Sequence, residues 1–146
     1  MEFMKISAFA DKNFKVPMKD LNKKIIPSYS FMINPDALKL QQIFARTEEN
    51  GSKPGGRLSF EIVIDCTGVV DKNRTELPLE MNRINAILYQ FKDKIHKPNF
   101  VKMEWGNSLT FYGVLTSLDT SYTLFKPDGT PLRAKMSFVF DQCFQG

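Results

Sequence analysis

The stretch YTLFKPDGTPLRAKMSFVF, Tyr122 to Phe140, narrows the choice of fold more than any other part of the chain. Pro127 fixes φ, Asp128 can bond its neighbouring backbone and Gly129 accepts a positive φ, so Pro-Asp-Gly sets a tight turn. Beyond the turn Leu132, Ala134, Met136, Phe138 and Phe140 alternate with Arg133, Lys135, Ser137, Val139 and Asp141. A period of two puts the first set on one face of a strand and the second on the other. The first face is apolar enough for a core; the second is wet or meets a partner. A hairpin this long either closes a small barrel or presents an edge to another subunit, and the local pattern leaves both open.

The same logic marks further strands. Lys5 to Phe9 is a short one, followed by a polar, lysine-rich connection to Ile25. Tyr29, Phe31 and Ile33 share one face of a run that Asn34-Pro35-Asp36 stops, because proline cannot donate to a ladder and biases its predecessor to extended geometry. Leu38 to Arg46 reads as a strand, Thr47 to Gly56 as a flexible polar tip, and Leu58, Phe60, Ile62 and Ile64 as a strictly alternating strand. Val101, Met103 and Trp105 alternate before a Gly106-Asn107 turn, and a strand runs from Leu109 toward Leu118, with a bend at Asp119 to Ser121. Gly113 inside it signals a bulge or a close backbone approach.

One segment, TELPLEMNRINAILYQFKDKIHKP, reads as a helix ended by Pro98. Met81, Ile84, Leu88, Phe91 and Ile95 fall three and four apart and form one apolar stripe, suited to packing on a sheet. Pro78 is tolerated in the first turn, Glu76 and Glu80 complement the positive end, and Lys92, Lys94 and Lys97 the negative one. Six or seven strands and one helix predict an α+β domain built on a small antiparallel β-barrel, with a flanking α-helix and an extended hairpin loop.

Composition excludes several functions. With 146 residues the chain fits one domain and needs no covalent staple. Cys66 and Cys143 match no metal or redox spacing, which predicts free thiols and a reducing compartment. No apolar run is long enough for a signal peptide or a membrane span. The 20 basic and 16 acidic residues leave a net charge of +4. The clusters KDLNKK and FKDKIHK read as solvated faces rather than a nucleic-acid stripe. His96, the sole histidine, reads as a solvated or helix-capping side chain beside the helix end. Without an acid/base pair, an activated nucleophile, a phosphate loop or a metal cluster, neither an enzyme nor a cofactor is expected. The 13 Phe residues fit core packing, with surplus apolar surface for assembly.

Four motifs carry a resemblance: Phe31 with Asn34-Pro35; Asp65, Thr67 and Gly68 at a strand end; His96, Pro98, Trp105 and Gly106; and YTLFKPDGTPLRA from Tyr122 to Ala134. Together they span most of the chain, and the last is long and specific. The sequence resembles the contractile injection system tube proteins, in particular the tube-initiator or baseplate-hub N-terminal domain, whose fold is shared with phage tail tubes. The resemblance implies a structural role in a hexameric ring between a trimeric spike and the inner tube. The implied partners are copies of itself, the spike, inner tube proteins and a baseplate or sheath adaptor, with no membrane insertion and no specific nucleic acid.

The implied location is the bacterial cytoplasm during assembly, then the injection particle. Many members continue into a LysM-like module; the expectation here is one tube-like domain over residues 1–146, without docking through such a module. The tip residues Thr47, Glu48, Glu49, Asn50, Gly51, Ser52 and Lys53, with Arg133 and Lys135 facing outward or into a lumen, are the expected assembly residues. The alternative is a monomeric small-barrel binding module for single-stranded nucleic acid or an oligosaccharide, which the aromatic content and mild basicity permit.

Overall fold

The structure is a computed structural model that describes residues 2–44, 55–92 and 95–143. Among the described residues nine strands and one helix follow in the order β1 (Lys5–Phe9), β2 (Tyr29–Ser30), β3 (Leu38–Ile43), β4 (Gly55–Asp65), α1 (Leu77–Leu88), β5 (Tyr89–Lys92), β6 (Ile95–Pro98), β7 (Phe100–Trp105), β8 (Leu109–Phe125) and β9 (Pro131–Gln142). Seven strands form one antiparallel sheet in the order β2-β1-β7-β8-β9-β4-β3, curled as a half-barrel, while β5 and β6 pair separately. The α+β class with a barrel-like sheet and one flanking helix is as the alternation predicts.

The core forms where the alternating faces converge. Leu58, Phe60, Ile62 and Ile64 of β4 lie opposite Phe140, Phe138, Met136 and Ala134 of β9, and all eight are buried. Phe60 and Phe138 rings sit 5.1 Å apart, and Phe31 reaches Phe138 at 6.1 Å. Leu77, Met81, Ile84, Ile87 and Leu88 of α1 close the cluster, together with Ile6, Val101 and Met103. Removing one such side chain from water contributes about 1.5–3 kcal/mol, so this face dominates the stability.

Several boundaries differ from those expected. The helix ends at Leu88, and Phe91 and Ile95 belong to β5 and β6 instead of the stripe. Asn99, 3% exposed, explains the stop: its side-chain amide donates to the carbonyls of Ala86 (3.3 Å) and Ile87 (3.0 Å), and its backbone N–H to that of Leu88 (3.0 Å). A tertiary partner thus caps the orphan carbonyls that a longer helix would satisfy internally. No basic residue stands in the last turn of α1, and His96 lies in β6 with its ring 4.7 Å from that of Tyr89.

The bend expected at Asp119 to Ser121 is absent, because β9 pairs with β8 without a break from Ser117↔Val139 to Thr123↔Arg133. The irregularity falls between Leu115 and Ser117, whereas Gly113 is a close approach: a Cβ there would stand 2.4 Å from the Asp141 carbonyl oxygen. The strand expected over Tyr29 to Ile33 shortens to Tyr29–Ser30. Gly55 and Gly56, expected in the tip, pair with Ile43 and Gln42 at the start of β4. Cys66 and Cys143 are free thiols, and burial pushes Cys66 up to about 11.

A second, smaller cluster holds the connection between β1 and β2 against the opposite sheet face. Phe14 meets the rings of Tyr112 (4.7 Å), Phe9 (5.7 Å) and Phe100 (5.9 Å), all on the face away from α1. Among the described residues no helix is long and apolar enough to cross a membrane.

Candidate assembly interface

Unequal strand lengths create the feature that most invites a partner. β8 has 17 residues and β7 has six, ended by the turn at Gly106, which adopts φ 55°. β7 therefore covers β8 only from Leu109 to Gly113. From Val114 to Phe125 one edge of β8 is hydrogen-bonded to no strand among the described residues, although β6 comes near β8. Beyond β4, β3 pairs with no strand among the described residues, which leaves its outer edge open. Each open edge is a row of backbone donors and acceptors that can accept another strand.

The face of the block β8-β9-β4-β3 turned away from the core is polar. Arg133 and Lys135 lie on it, both exposed as expected, and each is held by an acid of β4: Lys135 Nζ is 3.2 Å from Glu61 Oε2 and Arg133 Nε is 3.7 Å from Asp65 Oδ2. Arg57 Nε donates to Asp141 Oδ1 at 2.9 Å. These exposed pairs add little stability, but they match charge along the sheet. Where β8 passes beyond the core, Tyr122, Leu124 and Phe125 are about half exposed, and on β3 and just after it Leu40 and Phe44 are open to solvent. The expected tip residues Thr47 to Lys53 lie outside the described residues.

The four resemblance motifs turn out to be joints. Asn34 Oδ1 accepts the Met4 N–H at 2.8 Å, and its amide donates to the Glu2 carbonyl at 2.9 Å. Trp105 Nε1 donates to the same carbonyl at 3.2 Å. Asp65 accepts the hydroxyl and the backbone N–H of Thr67, so its carboxyl is held below the usual range chiefly by that hydroxyl, and Gly68 follows at φ 96°. Asp128 accepts the Thr130 N–H at 2.9 Å, and Gly129 sits at φ 90° between bonded Lys126 and Thr130, which fixes the β8–β9 turn.

The pattern missed one buried polar group. Glu80, expected only to complement the helix end, is 2% exposed. Its Oε1 accepts the Tyr29 hydroxyl at 2.8 Å and Arg74 Nε at 2.7 Å, with Arg74 Nη2 also in contact. Burial, then the bond to Glu80, raises the Tyr29 phenol above its ordinary value. This node ties α1, β2 and the Cys66-to-Glu76 loop together; an acid three residues after Leu77 gives no sign of it.

A family model described as contractile injection system tube protein matches residues 1–145. The chain belongs to that family. A search of curated proteins returned no match. For a tube protein, two open edges on one sheet and motifs devoted to turns make structural sense: the chemistry to be explained is association between copies and other components.

Proposed function

We propose that this tube protein is a tube initiator: a hexameric, non-enzymatic ring at the baseplate hub, between a trimeric spike and the inner tube, built from one tube-like domain per subunit. The observation that carries the proposal is the pair of open edges on the β8-β9-β4-β3 block. Neighbours related by rotation about a ring axis keep the same strand directions. With four antiparallel strands per copy, β3 of one subunit runs opposite to β8 of the next, so head-to-tail pairing continues the antiparallel ladder. A heterologous contact of this kind generates a ring when the rotation closes. The core and α1 fill the outer, wider side of each wedge, and the polar face with Arg133 and Lys135 then lines the lumen. Thr47 to Lys53 serves as an arm to the neighbour. Family membership favours this over a monomeric binding module, and assembly in the bacterial cytoplasm goes with it.

Electron microscopy and native mass measurement of the protein, alone and mixed with spike and inner tube proteins, test the ring. Six-membered rings are expected, at least in the mixture; a strictly monomeric particle there overturns the proposal. Deleting Thr47 to Lys53 is expected to preserve the circular dichroism spectrum and abolish incorporation. Normal incorporation removes the arm from the account.

A further inference from the structure

One connecting stretch carries a dense local surplus of positive charge. Between Asp11 and Ile25 stand five lysines, Lys12, Lys15, Lys19, Lys23 and Lys24, against two aspartates, which accounts for three of the four excess charges. All five are exposed, and none is ion-paired among the described residues. Both aspartates are occupied with the backbone. Asp11 Oδ1 accepts the N–H groups of Lys15 (3.0 Å) and Val16 (2.8 Å), and Asp20 Oδ1 those of Asn22 (2.8 Å) and Lys24 (3.0 Å).

This strap is fixed rather than loose. Phe14 anchors it from below at φ 56°, Lys23 turns it at φ 64°, and Met18 and Ile26 extend backbone bonds from β1. A segment held in shape loses little conformational freedom when it docks. It lies over β1 and β7, far from β3, and its anchor Phe14 also reaches Tyr112 in the part of β8 that β7 covers.

We propose that the Asp11-to-Ile25 strap is a docking surface for an acidic protein partner distinct from a second copy of this chain. Charge complementarity supplies the attraction and the on-rate. Exposed Val16, Leu21 and Ile25 between the lysines supply the apolar contacts that protein interfaces mix with a polar rim. A single-stranded nucleic acid would want exposed rings for stacking, and the one aromatic of the strap, Phe14, is buried. A membrane surface would want one contiguous apolar face on an amphipathic helix, whereas here short turns alternate lysine with isolated apolar residues.

Fluorescent poly-L-glutamate, a single-stranded oligonucleotide of matched charge and phosphatidylserine vesicles are titrated against the full chain at low and at physiological salt. The peptide is expected to bind more tightly at low salt. A triple change, Lys19→Gln, Lys23→Gln and Lys24→Gln, is expected to weaken peptide binding about tenfold, the sum of three modest surface terms. A charge-matched control, Lys39→Gln, Lys72→Gln and Lys126→Gln at exposed positions elsewhere, is expected to change it less than about twofold. Equal weakening by both triples, absence of peptide binding, or tighter binding of the oligonucleotide or the vesicles each overturns the proposal.

Discussion

Replacing Arg74 by methionine isolates Glu80, the one buried charged side chain among the described residues. The change keeps much of the side chain's bulk over the Tyr29 ring, where the guanidinium carbon lies 5.0 Å from the centroid, but removes the main cation from Glu80. Arg83 cannot substitute, since its Nη1 is 3.8 Å from Oε2 and its side chain is 59% exposed. Breaking a buried pair by removing one partner costs about 3–5 kcal/mol because a charge is left uncompensated. The Arg74 side chain keeps 21% of its surface in water and Tyr29 still donates, so the lower end, about 3 kcal/mol, applies. That corresponds to a fall in Tm of about 10 °C for a chain of this size. Urea unfolding at pH 7, followed by fluorescence of Trp105, the only tryptophan, measures it. The cost comes from the orphaned carboxylate and not from the worth of the pair. Combining Arg74→Met with Glu80→Gln, which still accepts from Tyr29, is therefore expected to recover more than half of the loss. A single variant that loses less than about 1 kcal/mol, or a double variant less stable than the single one, refutes the reasoning.

Two glycines separate steric from conformational cost. Gly113→Ala drives a methyl toward the Asp141 carbonyl and is expected to cost about 3 kcal/mol, while Gly129→Val meets open space and carries only the penalty of its positive φ, about 1 kcal/mol. Thermal melts in which Gly129→Val is the more damaging would reverse both assignments. Cys66, with its thiol pushed up to about 11 by burial, is expected to react with iodoacetamide at pH 8 far more slowly in the native protein than in urea, as read by mass spectrometry; equal rates would contradict the burial.

What the sequence reveals follows how local each interaction is. Alternation along Leu58 to Ile64 and Leu132 to Phe140 located the strands that carry the core, and Pro-Asp-Gly located the turn between β8 and β9, because a strand's two faces and a turn's φ values are set within a few residues. The end of α1 was not legible: Phe91 and Ile95 keep helical spacing, and only Asn99, arriving from beyond the following hairpin, closes the helix at Leu88. Phe14 looked like part of a polar connection, although its ring docks on residues from three strands. At the candidate interface, Arg133 and Lys135 were placed correctly on the outer face by parity alone. The open edge of β8 was hidden, since it depends on β7 being too short to cover it, a difference in length and not a motif.

An open edge of this length is a hazard as well as an opportunity, because unpaired backbone groups accept almost any strand. In β8 the edge is bracketed. The register shift between Leu115 and Ser117 interrupts it at one end, and Leu124, at φ 55°, breaks extended geometry at the other. Between them Ser117 to Thr123 leaves seven regular residues, against six in β3. A bulge bends and twists the strand that carries it, so an intruding strand longer than this stretch loses bonds at both ends. Within the stretch β9 fixes Asp119 and Ser121 on the polar face and Leu118 and Tyr122 on the core side, so a slip of one residue would turn the incoming strand over and set its apolar side chains beside the polar ones of β8. Length therefore selects a short strand as partner, and parity selects its register. In the proposed ring the strand that meets both conditions is β3 of the neighbouring copy.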